Sequence, residues 1–220
     1  FVPIQICPSI LNANFGDLPN EIRRVEATSD FLHLDVMDGV FVPRKTFELA
    51  QAEELVKGTT LKTDAHLMIA NPDLDAPKYG EIGCFSVTFH FEAARKPQQI
   101  LRDIRKTGAR SSIGLKPATD IDVISGFLVD IDMILIMTVE PGAGGQSFMA
   151  DMMPKVRRAR ELIGSDKIWL QVDGGISLET IEMARAAGAD TFVAGSAVYR
   201  DPNPAQMVER LRKLATAVSI

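Results

Sequence analysis

The 220-residue chain has only two cysteines, Cys7 and Cys84, and no paired Cys or Cys/His spacing. That excludes a disulfide scaffold and a structural zinc finger, and leaves two buried thiols as the expectation. Long apolar runs are also missing: the longest, Met133 to Met137, falls far short of the roughly 20 residues a bilayer-crossing helix requires. No charged-then-apolar segment opens the chain, so the reading is a cytoplasmic protein with no membrane partner. Phe1 in place of an initiator Met points to a trimmed or processed start. Positive charge is not in excess either. With 24 Lys+Arg against 29 Asp+Glu the net charge is −5, which supplies no basic field for a nucleic-acid backbone. No Pro/Ser-rich linker, low-complexity tract or charge block divides the sequence, so one domain over 1–220 is expected.

What is present is a rhythm. Short runs rich in Ile, Val, Leu and Phe return about every 27 residues, separated by amphipathic stretches of helical length. Strands are expected over Ile4 to Ile10, Phe31 to Met37, Leu61 to Met68, Phe85 to His90, Ser112 to Leu115, Met133 to Met137, Ile168 to Val172 and Thr191 to Ala194. Helices are expected over Leu18 to Ala27, Phe47 to Lys57, Asp75 to Ile82, Pro97 to Thr107, Ile121 to Phe127, Met152 to Ile163, Leu178 to Ala187 and Pro204 to Ala215. Ser177 stands as the cap of the seventh helix, and Gly108 and Gly188 as helix stops. Eight β-then-α units suit a closed (β/α)₈ TIM barrel, an α/β fold of around 250 residues. The competitor, a doubly wound open sheet, would place its glycine turn after the first strand. Here that strand runs into Pro8-Ser9-Ile10-Leu11, and the glycine turns come late.

Strand side chains alternate faces, so His33, Asp35 and Met37 share one side, as do Asp64, His66 and Met68 on the next strand. Buried unpaired, His and Asp are costly, whereas one divalent cation satisfies imidazole nitrogens and carboxylates together. His33, Asp35, His66 and, at the end of strand seven, Asp173 are the candidate ligands. Singly, such a His is more often a hydrogen-bonded core residue and an Asp before Gly more often a turn former; their concentration at strand ends argues for the set. Asp64 is placed to orient an imidazole or to make a simple buried hydrogen bond, Asp38 to hold a turn, and His90, without a partner at a useful spacing, to be structural.

Gly142, Ala143, Gly144 and Gly145 follow strand six, Gly174 and Gly175 strand seven, and Gly195 and Ser196 strand eight. Bare backbone there can converge on a phosphate. A dinucleotide fingerprint is absent, since its third glycine would fall on Ser147. Met37, Met68 and Met137 end strands two, three and six and can line an apolar wall over the site.

These ordered motifs, Pro8 to Leu11, His33 to Gly39 with Phe41-Val42-Pro43, Asp64 to Met68, Pro141 to Ser147, Val172 to Gly175 and Ala194 to Ala197, resemble the ribulose-phosphate 3-epimerases over nearly the whole chain. The resemblance implies a phosphate-binding barrel that interconverts D-ribulose 5-phosphate and D-xylulose 5-phosphate with one divalent metal. That metal is Zn²⁺ for a two-His, two-carboxylate set, with Fe²⁺, Mn²⁺ and Co²⁺ as alternatives. It implies that His33, Asp35, His66 and Asp173 hold the metal, that Asp35 and Asp173 are the acid/base pair, and that Ser9 and His66 contact a phosphorylated ketose. The late glycines with Gly195 and Ser196 become the phosphate grip. It also implies a homo-oligomer, a dimer or higher. Val40, Arg44 and Lys45 depart from the family pattern and change the charge of the loop after strand two, and Ala143 stands where an aromatic is usual. Rival readings are an epimerase of another ketose phosphate such as D-allulose 6-phosphate, a Schiff-base aldolase using Lys116, and a binding protein without turnover.

Overall fold

In the computed structural model, which describes residues 3–220, eight parallel strands form one sheet. They are β1 (Gln5–Pro8), β2 (Phe31–Met37), β3 (Lys62–Met68), β4 (Ser86–His90), β5 (Arg110–Leu115), β6 (Met133–Met137), β7 (Trp169–Asp173) and β8 (Thr191–Ala194). Between and after them run α1 (Leu18–Glu26), α2 (Leu49–Lys57), α3 (Pro72–Glu81), α4 (Pro97–Lys106), α5 (Met153–Ile163), α6 (Ile181–Ala186), α7 (Ser196–Tyr199) and α8 (Pro204–Ala217). Phe1, where the sequence suggests processing, lies outside the described residues. Among those residues no helix is long and apolar enough to cross a membrane.

The strand order β1-β8-β7-β6-β5-β4-β3-β2 is that of a TIM barrel and rules out the doubly wound alternative. The last seam, between β1 and β2, is joined by a Ser9–His33 bridge, by Asp30 N–H donating to Ile6 O at 3.1 Å, and by Ile6 N–H donating to Asp30 Oδ2 at 2.7 Å. Arg212 of α8 clamps it from outside, donating to Ile4 O, Asp30 Oδ2 and Thr28 O at 3.1, 2.7 and 2.6 Å.

Alternation along the strands separates two environments. Outward residues such as Leu32, Leu34, Val36, Leu67, Phe89, Ile134, Ile136, Leu170 and Phe192 pack in the main apolar core with helix residues including Ile22, Leu101, Val156 and Leu211. Inward residues line the lumen and are largely polar: Gln5, His33, Asp64, Ser86, Thr88, Ser112, Gln171 and Thr191 are all buried there. Where the strands begin, Phe31 stacks on Phe85 with centroids 5.4 Å apart and meets Trp169 at 5.7 Å. The Arg110 guanidinium lies 3.6 Å over Trp169, and Lys62 Nζ 4.4 Å over Phe85.

Several elements differ from expectation: α7 matches no expected helix, α3 starts three residues early at Pro72, and three more departures have a visible cause. β1 stops at Pro8, because Ser9 caps a 3₁₀ turn over Ile10–Asn12, its Oγ accepting from Leu11 N–H at 3.2 Å. The segment Ile121–Asp130 is 3₁₀ rather than α-helical. Ile121, Val123, Ile124, Gly126 and Val129 are poor α-helix formers, and Asp120 accepts from Asp122 N–H at 2.8 Å to start the tighter turn. Ser177 does not cap α6. Thr180 Oγ1 accepts from Ser177 N–H and donates to Gly175 O, delaying the helix to Ile181. Gly108 and Gly188, at φ 92° and 118°, do follow α4 and α6 as stops. Both cysteines are free and buried.

Candidate functional site

At the end where the strands finish, β2, β3 and β7 bring His33, Asp35, His66 and Asp173 together, one ligand atom of each lying within 4.8 Å of all the others. β2 and β3 pair so that Asp35 stands beside His66. β7 reaches the same point from across the ring. His33 Nε2 lies 3.3 Å from Asp35 Oδ1 and 3.5 Å from Asp173 Oδ2. His66 Nδ1 lies 3.0 and 3.4 Å from the same two oxygens. Ser9 Oγ donates a short hydrogen bond to Asp35 Oδ2.

The set is electrostatically strained toward charge. Burial works against ionising His33, yet Asp35 and Asp64 push its imidazole well above the usual histidine range. His66 is raised by Asp173 and Asp35, again against burial. Burial alone would lift the two carboxyls; His33 and His66 hold both Asp35 and Asp173 below the ordinary range, even though Asp35 repels Asp173. Despite these neighbours, His33 Nε2 is buried with no hydrogen-bond partner.

Behind the cluster stands a second layer. His33 Nδ1–H donates to Asp64 Oδ2 at 2.7 Å, and Asp64 also accepts from Ser86 Oγ and Gln171 Nε2. His90, which the sequence left without a partner, has its Nε2 2.8 Å from His66 Nε2 and its Nδ1 3.3 Å from Glu92 Oε1. Burial holds its imidazole down at about 4 in spite of Glu92. The missed signal was parity: Ser86, Thr88 and His90 point inward like the other strand-end histidines. Asp38 holds the turn after β2, accepting from Val40 and Phe41 N–H at 2.8 and 2.9 Å.

A cavity opens over this layer. Asp35 and Asp173 line it, whereas His33 and His66 lie behind them. Ser9, Met37, Met68 and Met137 form its floor and wall; Gly142, Ala143, Gly144 and Gly145, then Gly174, Gly175, Gly195 and Ser196, form its rim. Of the substrate-contact candidates only His66 is not at its surface. Two of the glycines are required by close approach: a Cβ at Gly174 would stand 2.5 Å from Val139, and one at Gly175 2.6 Å from the Phe148 backbone nitrogen. Asn12 was not anticipated. Its amide sits between Gly144 and Gly195, where added Cβ atoms would meet it at 2.5 and 2.4 Å, and nothing in its spacing marks it. Val40, Arg44 and Lys45 do not line the cavity: Val40 points to solvent, Arg44 covers the Phe15 ring and Lys45 pairs with Glu48 at 2.9 Å. Lys116 does not line it either; its Nζ lies 4.2 Å over the Phe41 ring.

Comparison with known proteins gives the family. Residues 5–199 match the family model described as the Ribulose-phosphate 3 epimerase family. The ribulose-phosphate 3-epimerase of Mycobacterium leprae is 47% identical over 216 residues, covering 97% of this chain and 96% of the relative. That of Bacillus subtilis is 37% identical over 213 residues, covering 95% and 98%. Among solved structures, 3-hexulose-6-phosphate synthase from Salmonella typhimurium superposes with a TM-score of 0.72, covering 97% of this chain and 99% of that one. At 16% identity that likeness speaks for the fold alone. With a family match and close relatives both spanning nearly its full length, the chain belongs to the ribulose-phosphate 3-epimerase family and is an isomerase.

Proposed function

We propose that the chain interconverts D-ribulose 5-phosphate and D-xylulose 5-phosphate, with Asp35 and Asp173 exchanging protons with opposite faces of C3. The observation that carries this reading is the exposure of those two carboxylates, from strands on different sides of the ring, to one cavity while both imidazoles stay behind them. Inversion at a carbon beside a carbonyl needs a base on one face and an acid on the other. Asp35, steadied by the Ser9 hydroxyl, takes the proton from one epimer, and Asp173 delivers one from the far side; the reverse reaction exchanges the roles. Deprotonation gathers charge on the C2 and C3 oxygens of an enediolate, which must be met by positive charge.

The donor set fits a divalent cation. Two imidazoles and two carboxylates converge, and His33 Nε2 is buried with no hydrogen-bond partner while Nδ1 is held by Asp64. His33, Asp35, His66 and Asp173 would hold it, Zn²⁺ suiting this mixture of nitrogen and oxygen donors. Bound there, the cation supplies Lewis acidity to the developing enediolate oxygens. The glycine rim then takes the phosphate through backbone N–H groups, Met37, Met68 and Met137 exclude water over C3, and Ser9 positions Asp35.

The Schiff-base alternative has no support in the placement of Lys116. The allulose-phosphate alternative is not favoured, because the relatives are named for ribulose phosphate. Proton NMR of the metal-loaded chain with D-ribulose 5-phosphate in D₂O tests the proposal. Deuterium at C3 accompanying formation of D-xylulose 5-phosphate is expected; the absence of any C3 exchange would reject it.

A further inference from the structure

A ring nitrogen binds a cation through its lone pair, so each imidazole of the tetrad must carry its proton on the other nitrogen. The two rings present different atoms to the carboxylates, Nε2 from His33 and Nδ1 from His66. His33 keeps its proton on Nδ1 because Asp64 Oδ2 accepts it at 2.7 Å. His66 has no carboxylate behind it. Its Nε2 faces His90 Nε2 at 2.8 Å, and two nitrogens at that distance require one donor and one acceptor. Glu92 Oε1 decides which. It lies 3.3 Å from His90 Nδ1 and is itself anchored by Lys116 N–H at 2.6 Å, so it accepts a proton from Nδ1 and leaves His90 Nε2 bare. His66 Nε2 must then be the donor, which leaves Nδ1, 3.0 Å from Asp35 Oδ1, as the nitrogen that can give up its proton to a cation.

Resting on the reading of the tetrad as a cation site, we propose that His90 and Glu92 are positioning residues that hold His66 in the Nε2–H tautomer and so aim its Nδ1 lone pair at the metal. The surroundings are built for this. His90 and His66 are both fully buried. Phe41 covers the His90 ring with centroids 5.2 Å apart, and the Lys116 ammonium covers Phe41 in turn. On β5, Gly114 stands beside His90, and a Cβ there would come within 3.4 Å of the ring's Cε1 and Nε2. The two metal-binding imidazoles are thus backed independently, His33 by a carboxylate on β3 and His66 by a His–Glu relay at the end of β4.

The test titrates Zn²⁺ into the metal-free chain against a chromophoric chelator and reads the Zn-loaded, ¹⁵N-histidine-labelled chain by long-range ¹H–¹⁵N correlation. Protons on His90 Nδ1 and His66 Nε2 are expected in the unaltered chain. His90→Leu, which cannot accept, should lower Zn²⁺ affinity about 10- to 100-fold. His90→Gln, whose amide oxygen can reach the same proton, should restore most of it, and Glu92→Leu should move affinity the same way as His90→Leu by a smaller factor. A proton on His90 Nε2 in the loaded unaltered chain, or native affinity in a folded His90→Leu variant, would overturn the positioning role alone. Should His90→Leu fail to fold, the proton positions in the unaltered chain decide by themselves. Failure of the unaltered chain to bind Zn²⁺ would overturn the metal reading and this role with it.

Discussion

Where the barrel strands begin, Arg110 lies over Trp169, Lys62 over Phe85, and Arg105 grips both oxygens of Asp132 at 3.2 and 2.9 Å. Where the strands finish, the hydrogen-bond and ion-pair partners of the Asp35 and Asp173 carboxylates among the described residues are Ser9, His33 and His66. Both ends of the barrel therefore carry charge, but the first neutralises it with permanent cations and aromatic faces, and the second with imidazoles whose charge is conditional. An end settled within the chain adds to stability. An end that calls for outside charge is suited to binding and turnover, and the protein carries the cost of holding it together through its second layer.

If that division is right, substitutions at the two ends should fall on different observables. The largest effect belongs to the finishing end: Asp173→Asn should lower kcat by about 10³-fold or more, followed as C3 exchange in D₂O with metal occupancy checked. Normal turnover in that variant would break the comparison at once. At the beginning end, Phe31→Ala removes a ring stacked between Phe85 and Trp169. It should cost about 3 kcal/mol in urea unfolding while turnover per folded molecule is unchanged; a parallel loss of metal affinity would show the ends to be coupled. Next, Asp64→Leu should weaken Zn²⁺ binding about tenfold in a chelator competition, because His33 loses the acceptor that fixes its proton.

The smallest effect sharpens the contrast through pH. Burial opposes ionisation of Asp132, but Arg105 and the Ser111 N–H outweigh it and hold its carboxyl below the ordinary range. The unfolded chain therefore takes up that proton first as pH falls. The contribution is complete above about pH 4 and is lost as pH drops through the folded value. Asp132→Asn should flatten the acid limb of stability by about 1 kcal/mol and leave the pH dependence of kcat where it was.

How much of this is legible in the sequence depends on which structural rule a residue obeys. His33, Asp35, His66 and Asp64 follow from strand alternation, which survives errors of a few residues in strand ends. Asp173 follows from its place after an apolar run. His90 obeys the same alternation, but its meaning lies in the stagger between strands: His66 pairs with Thr88, so His90 reaches His66 from one inward step higher, and no spacing along the chain encodes that offset. The tightening of Ile121–Asp130 into a 3₁₀ segment reflects local propensity that the amphipathic pattern masked. Asn12 owes its place to two glycines from distant loops, an arrangement set by barrel closure and not by any local pattern.

That closure sets a schedule. β1 finds its lateral partner in β8, with Gln5 beside Thr191, and its outer clamp in Arg212, 208 residues after Ile4. At about 5–20 residues per second of synthesis, the first strand waits on the order of 10–40 s for partners that lie so much later in the sequence. During that interval its ladder groups on the β8 side have no native partner. Ring closure accordingly waits for β8 and joins contacts that lie far apart in the sequence, the slowest class to form. The window in which this enzyme is open to misassembly is set by the length of chain that separates β1 from β8 and Arg212.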